Sequence, residues 1–207
     1  MTRIPFFEIL RDAMRGAKRT QTDAVELQAG KEEETPRRRV MIVGNPNVGK
    51  SVLFNRLTGH YMVVSNYPGT TVEVARGRMR LGETLYEVVD TPGMYSLRPL
   101  SEEERVGRTL LLNEAADAVL YVADAKNLER MLPFTLQLIE AGLPVILVVN
   151  MMDEAERIGV KIDLEALQKA LGIPVIATAV LSGRGLEELR NAIDEFIRSR
   201  TPAAVSV

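Results

Sequence analysis

The sequence predicts an α/β fold: a six-stranded, mostly parallel sheet with one antiparallel edge strand and helices on both faces. Three observations predict it. Short continuous apolar runs at 40–43, 118–123 and 145–149 have the length and composition of buried parallel strands. Stretches with apolar residues at helical spacing alternate with those runs. Between the first two, residues 72–81 and 85–89 flank a Gly82-Glu83 turn and read as an antiparallel pair.

The 207 residues suffice for one domain with a full core and some extra chain. With 46% hydrophobic and 26% charged residues, the composition is that of a soluble globular protein. A net charge of −2 argues against a broad nucleic-acid-binding surface. There is no cysteine, which removes disulfides, thiolate metal sites and cysteine nucleophiles, and suits a reducing cytoplasm. The single histidine, His60, excludes a histidine metal cluster and reads as a surface residue just past the first helix. No apolar run reaches the roughly 18–20 residues that a bilayer-spanning helix needs.

Residues 1–38 differ from the rest. Ile4, Phe6, Phe7, Leu10, Met14 and Ala17 fall on one face of a predicted helix, with Arg11, Arg15, Lys18 and Arg19 among them. Such a basic amphipathic helix suits an anionic membrane surface or a partner through residues 1–20, the alternative being a helix packed on its own domain or a partly ordered arm. Residues 20–39 are polar, carry Lys31-Glu32-Glu33-Glu34 and Pro36, and read as a linker. The main domain spans 39–200 and a short tail 201–207.

Along that domain the first strand leads into a helix beginning near Val52. A loop comes next at 58–71, rich in turn residues. Ser101-Glu102-Glu103-Glu104 has the form of a capping box and starts a helix to about Glu114. A helix covers roughly 128–141, closed by Gly142. Asp163 caps another that stops at Gly172. Residues 175–178 are the last strand, and Leu186, Leu189, Ile193, Phe196 and Ile197 form the apolar stripe of a final helix.

The chemistry begins between the first strand and the first helix. Gly44-Asn45-Pro46-Asn47-Val48-Gly49-Lys50-Ser51 has the spacing of a phosphate-binding loop. Gly44 and Gly49 let backbone N–H groups turn inward around an anion, and the helix aims the positive end of its dipole at the same phosphates. Lys50 reaches the β- and γ-phosphates, and the Ser51 hydroxyl suits Mg²⁺. Ligands of such sheets bind at the carboxyl ends of the strands, and further polar residues stand there. Asp90-Thr91-Pro92-Gly93 follows the third strand: its carboxylate suits Mg²⁺, and the Gly93 N–H is free to approach a γ-phosphate. Asn150-Met151-Met152-Asp153 follows the fifth. A carboxylate at Asp153 accepts from both N1–H and the exocyclic amine of guanine, a donor pair that adenine lacks, and Asn150 ties this loop to the phosphate loop. The bland alternative for Asp153 is a helix cap. Thr70 and Thr71 offer a hydroxyl to Mg²⁺, and local chemistry alone does not choose between them. Met151 and Met152 either pack on the base or fill the core.

The ordered set GNPNVGKS, NYPGTTVE, DTPGMYSL and NMMD closely resembles the cytosolic G domain of the bacterial ferrous-iron transporter B (FeoB) family, over about residues 39–200. The resemblance implies a phosphate-loop NTPase fold of the Ras-like type, with GTP/GDP, Mg²⁺ and K⁺ as cofactors. On it, Asn45, Pro46, Asn47, Val48, Gly49, Lys50, Ser51 and Val52 surround the phosphates. Thr71 is the switch threonine, Ser51, Thr71 and Asp90 serve Mg²⁺, and Asn150, Met151 and Asp153 hold the guanine. Asn47 matches the residue that holds K⁺ beside the phosphates in potassium-activated relatives. Asn47, Lys50, Thr71 and Gly93 then carry catalysis. The fifth nucleotide motif aligns to Ala179, Val180 and Leu181, which keep a backbone contact but lose a side-chain one.

Together these residues imply a GTP-hydrolysing switch with slow, K⁺-stimulated turnover, because Met94 stands where a glutamine often orients water. It would regulate or drive ferrous iron uptake through a membrane pore supplied by another chain or domain, at the inner face of the cell membrane. The family's pore and the helical domain after the G domain are missing from this sequence, and the N-terminal arm is unusual. The expectation is therefore a stand-alone G protein of a split transporter or a fragment, unable to carry iron itself. A nucleotide-dependent homodimer fits the same picture. The competing functions are a ribosome- or RNA-associated assembly GTPase and a non-enzymatic regulatory module.

Overall fold

The structure, a computed structural model, describes residues 38–59 and 62–200. The expected arm and linker up to residue 37, His60 and the tail 201–207 lie outside the described residues.

Seven strands form one sheet in the order β2-β3-β4-β1-β5-β6-β7. They are β1 (Arg38–Gly44), β2 (Met62–Asn66), β3 (Glu73–Leu81), β4 (Thr84–Asp90), β5 (Ala118–Asp124), β6 (Val145–Asn150) and β7 (Val175–Ala177). β1 pairs in parallel with β4 and β5, and β6 with β5 and β7, whereas β3 runs against both of its neighbours. All six expected strands are present, so the expected count of six is corrected to seven. The addition, β2, falls within the segment expected to be a loop. It is exposed along its whole length and held by backbone pairing to β3 alone, so it shows no apolar alternation to read.

The helices are α1 (Lys50–Thr58), α2 (Glu102–Asn113), α3 (Leu128–Glu140), α4 (Met152–Arg157), α5 (Leu164–Leu171) and α6 (Leu186–Arg200). Both faces of the central strands are buried, which is why they read as unbroken apolar runs. Met41, Val89, Val119, Tyr121 and Leu147 face a layer that includes Leu110 of α2, Phe134 and Leu138 of α3 and Ala155 of α4. On the other face Val40, Ile42, Leu120 and Val148 meet Leu53 and Phe54 of α1 and Leu189, Ile193 and Ile197 of α6. Tyr121 and Phe134 pack edge to face, 5.1 Å between centroids. This sandwich fixes the carboxyl ends of β1, β4, β5 and β6 side by side.

The capping box is real and does more than start α2. Glu104 N–H donates to Ser101 Oγ at 3.1 Å, and the Glu104 carboxylate accepts the N–H groups of Leu100 at 2.6 Å, Ser101 at 3.3 Å and Tyr95 at 3.3 Å. One buried carboxylate therefore pins the turn that follows Asp90–Gly93. The Leu100 N–H first, then those of Tyr95 and Ser101, hold its pKa below the ordinary value of 4.5. A depressed carboxylate contributes stability above its unfolded pKa and loses it as pH falls through the folded one. Replacing Glu104 by alanine is expected to lower stability by about 1–2 kcal/mol, or roughly 3–6 °C in Tm. Thermal melts at neutral pH and below pH 4 check this. The gap between parent and variant should shrink in acid, and a gap independent of pH would remove the carboxylate from the explanation.

Candidate functional site

β1 ends at Gly44, and the chain then wraps into a loop that feeds α1. Gly49 takes a left-handed conformation (φ 94°) at the N-cap of α1, and no side chain caps the first N–H groups of that helix. A nine-residue helix with no side-chain cap on its first N–H groups has the donor chemistry that suits an anion. A Cβ at Gly49 would lie 2.5 Å from Asn150 Nδ2, so glycine here also lets the second loop approach the first.

Lys50 is buried at 9% exposure, and its ammonium donates to the Asn45 carbonyl at 2.9 Å. Burial lowers its pKa, and the Asp90 charge pulls it partly back. Burial likewise raises the Asp90 carboxyl, against the Ser51 hydrogen bond and the Lys50 charge. Ser51 Oγ donates to Asp90 Oδ2 at 2.9 Å, while Asp90 Oδ1 is buried without a hydrogen-bond partner. A hydroxyl and an unsatisfied carboxylate oxygen side by side are the donor chemistry that Mg²⁺ takes. Gly93 sits against Pro46, where a Cβ would come within 2.8 Å of Pro46 Cγ. The loops after β1 and β4 are thus in direct contact.

Asn150 is the joint between the loop after β1 and residues 178–180. Buried at 1% exposure, it donates from Nδ2 to the Val48 carbonyl at 2.9 Å. Its Oδ1 accepts the Thr178 hydroxyl and the Val180 N–H, each at 3.1 Å. The next residue, Met151, turns the chain with φ 63°. It is half-buried and lines the cavity, whereas Met152 is in the core. Asp153 is exposed in the first turn of α4.

One cavity of about 360 Å³ is lined by Asn47, Gly49, Lys50, Ser51 and Val52, and equally by Asn150, Met151, Asp153, Ala179, Val180 and Leu181. An adjoining cavity of about 370 Å³ carries Lys50 and Ser51 on to Asp90, Gly93, Glu73 and Val64. Asn47 is exposed, with φ 64°. It lines the first cavity together with Lys50 and Ser51, and an amide carbonyl is a ligand type that an alkali cation takes.

Thr70 and Thr71 are not brought to Ser51 and Asp90. The Thr70 hydroxyl closes its own turn, donating to the Tyr67 carbonyl at 3.0 Å and accepting the Val72 N–H at 3.2 Å. Thr71 lines a different cleft, with Glu73, Pro92 and Ser101. Met94 is wholly buried against Gly107 of α2, pointing away from the site. Glu154, also on the cavity wall and paired with Lys126, was not expected from the sequence, where it reads as one more helical charge.

The family model for ferrous iron transport protein B matches residues 38–193. The chain belongs to that family. Its relatives include a ferrous iron transport protein A/FeoB fusion protein of Porphyromonas gingivalis, 49% identical over 152 residues, covering 73% of this chain and 18% of that protein. Solved structures of the cytosolic domain of T. maritima FeoB also match. The GMPPNP form has TM-score 0.76 and 43% identity, covering 79% of this chain and 65% of that one. A GDP form has TM-score 0.74 and 40% identity, covering 82% and 67%. The chain spans about a fifth of the length of the curated FeoB relatives it matches. No helix among the described residues is long and apolar enough to cross a membrane.

Proposed function

We propose that this chain is a GTP-binding and GTP-hydrolysing switch that regulates or drives ferrous iron uptake, at the cytoplasmic face of the membrane, through a pore formed by residues outside this sequence. One observation carries the reading: the phosphate loop, the loop after β6 and residues 179–181 line a single cavity, in a family whose T. maritima member has GDP and GMPPNP forms.

In this mechanism Lys50 and the open N-terminus of α1 neutralise the phosphates, and Asp153 accepts both donors of the guanine edge. Ser51 and Asp90 would hold Mg²⁺, which would supply charge neutralisation at the phosphates. Thr71 would leave its cleft to join them when a γ-phosphate is present, and the Gly93 N–H would face the same group. No side chain of the 94 position can orient water, since Met94 is buried, so intrinsic turnover is slow. Asn47 would hold K⁺, which would supply positive charge of the kind other enzymes take from an arginine.

The test is phosphate release from GTP with Mg²⁺, in KCl and in NaCl. The expected result is turnover at least about tenfold faster in KCl, corresponding to some 1.4 kcal/mol. Asn47→Ala should erase that difference while GDP still binds. Equal rates in the two salts would remove Asn47 from the mechanism. Tight GTP binding with no release in either salt would favour a non-enzymatic regulatory module.

A further inference from the structure

Residues 179–181, Ala-Val-Leu, carry no hydrogen-bonding side chain, yet the loop they open is tied down from two outer sides. Inside, Val180 N–H is bound to Asn150, and Ala179 N–H is bound to the Arg184 carbonyl at 3.0 Å. On one outer side Arg56, near the end of α1, donates to the Leu181 carbonyl at 2.6 Å. The end of α1 is itself held by Arg190 of α6, which donates to the Arg56 carbonyl at 2.7 Å. On the other outer side Arg184 grips Glu156 of α4 with two parallel bonds, 2.8 and 2.7 Å. Glu156 lies one helical turn beyond Asp153, so this pair joins α4 to the loop that carries Ala179, Val180 and Leu181, and both line the cavity. Asp153 also stands near enough for its charge to act on the Arg184 guanidinium.

We infer that Arg184–Glu156 and Arg56 form a clasp that closes residues 179–181 over the base, making all three positioning residues for the nucleotide. The inference rests on the proposed binding of guanine nucleotide. Neither arginine lines the cavity, so both act through the loop they hold. A bidentate guanidinium–carboxylate pair has the geometry to fix the spacing of two loops. Both partners are about half exposed, so its strength is modest and falls with salt. The clasp therefore acts on how long the nucleotide stays rather than on whether it binds.

The test is dissociation of mant-GDP from the intact chain at low and high NaCl, with Mg²⁺ constant. Arg184→Ala and Glu156→Ala should each release the nucleotide about three- to fivefold faster at low salt, as expected for losing an exposed but well-aligned pair. The double variant should be no faster than either single one. The charge swap Glu156→Arg with Arg184→Glu should return the rate to within about twofold of the parent, a rescue that a merely structural role would not produce. Arg56→Ala should speed release independently of the swap, and high salt should narrow the gap between the parent and Arg184→Ala. Thermal melts identify any variant that has simply unfolded, and the swap then decides alone. Unchanged release in the single variants, or a swap that does not restore it, overturns the clasp while leaving the nucleotide reading intact. A parent chain that does not bind mant-GDP overturns that reading, and the clasp with it.

Discussion

Replacing Lys50 by methionine is expected to weaken GMPPNP binding about 100-fold or more while leaving the nucleotide-free domain at least as stable as the parent. The two halves have one cause. The ammonium is buried, its only hydrogen-bond acceptor among the described residues is the Asn45 carbonyl, and its pKa is lowered. A lowered lysine pKa means that the folded protein disfavours the charged form, which the nearby Asp90 charge only partly offsets. A methionine keeps the stem and removes the desolvated charge, and with it the burial cost that outweighs the Asp90 attraction. Bound phosphates reverse the balance: the charge then makes charge-assisted hydrogen bonds worth about 1.5–3 kcal/mol each. Calorimetric titration with GMPPNP and a thermal melt without it test the two halves separately. A variant that loses both affinity and apo stability would show that Lys50 serves the fold instead of the ligand.

This conflict between local stability and function is what made the site legible in the sequence. Buried lysine, open helix N-terminus and glycine-rich turn each break a local rule, and they stand at fixed spacing between an apolar strand and an amphipathic helix. The same holds for Asn150, a polar residue ending an unbroken apolar run: its tie to the phosphate loop could be anticipated, because a buried amide needs partners and the nearest strand end supplies one. The capping box could be read from Ser101 and Glu104 alone. Its extra bonds to Leu100 and Tyr95 could not, since a side chain's second and third acceptances leave no trace in spacing.

What the sequence concealed was of two physical kinds. β2 escaped because a strand held on one side only, with both faces in solvent, needs no pattern in its side chains; Met62-Val63-Val64 is apolar without alternating. The outer ties of residues 179–181 escaped because they join distant parts of the chain. Arg56 reaches across 125 positions to Leu181, and Arg184 across 28 to Glu156. Each of these arginines reads locally as a solvated charge. Thr70 and Thr71 are an intermediate case. Their motif was plain, but where the hydroxyls stand depends on the turn from Tyr67 to Val72.

Replacing Asp153 by asparagine is expected to lower GDP affinity roughly 100- to 1000-fold and to make xanthosine diphosphate the better ligand. Guanine offers two donors on one edge, N1–H and the exocyclic amine, and a carboxylate accepts both. An amide accepts one and donates the other. It therefore leaves the guanine amine facing an N–H, but matches xanthine, which has a carbonyl at that carbon. The competing account is that Asp153 is simply an acid in the first turn of α4, where Glu154 stands beside it. That role is worth only about 0.3–1 kcal/mol of stability through the helix dipole, and it is indifferent to the base. The two accounts thus diverge in kind as well as in size. Competition of GDP and xanthosine diphosphate against a mant-labelled nucleotide, on parent and variant, separates them. Asp153 is exposed, so the substitution disturbs no core contact, and a variant that binds GDP as the parent does would remove Asp153 from base recognition altogether.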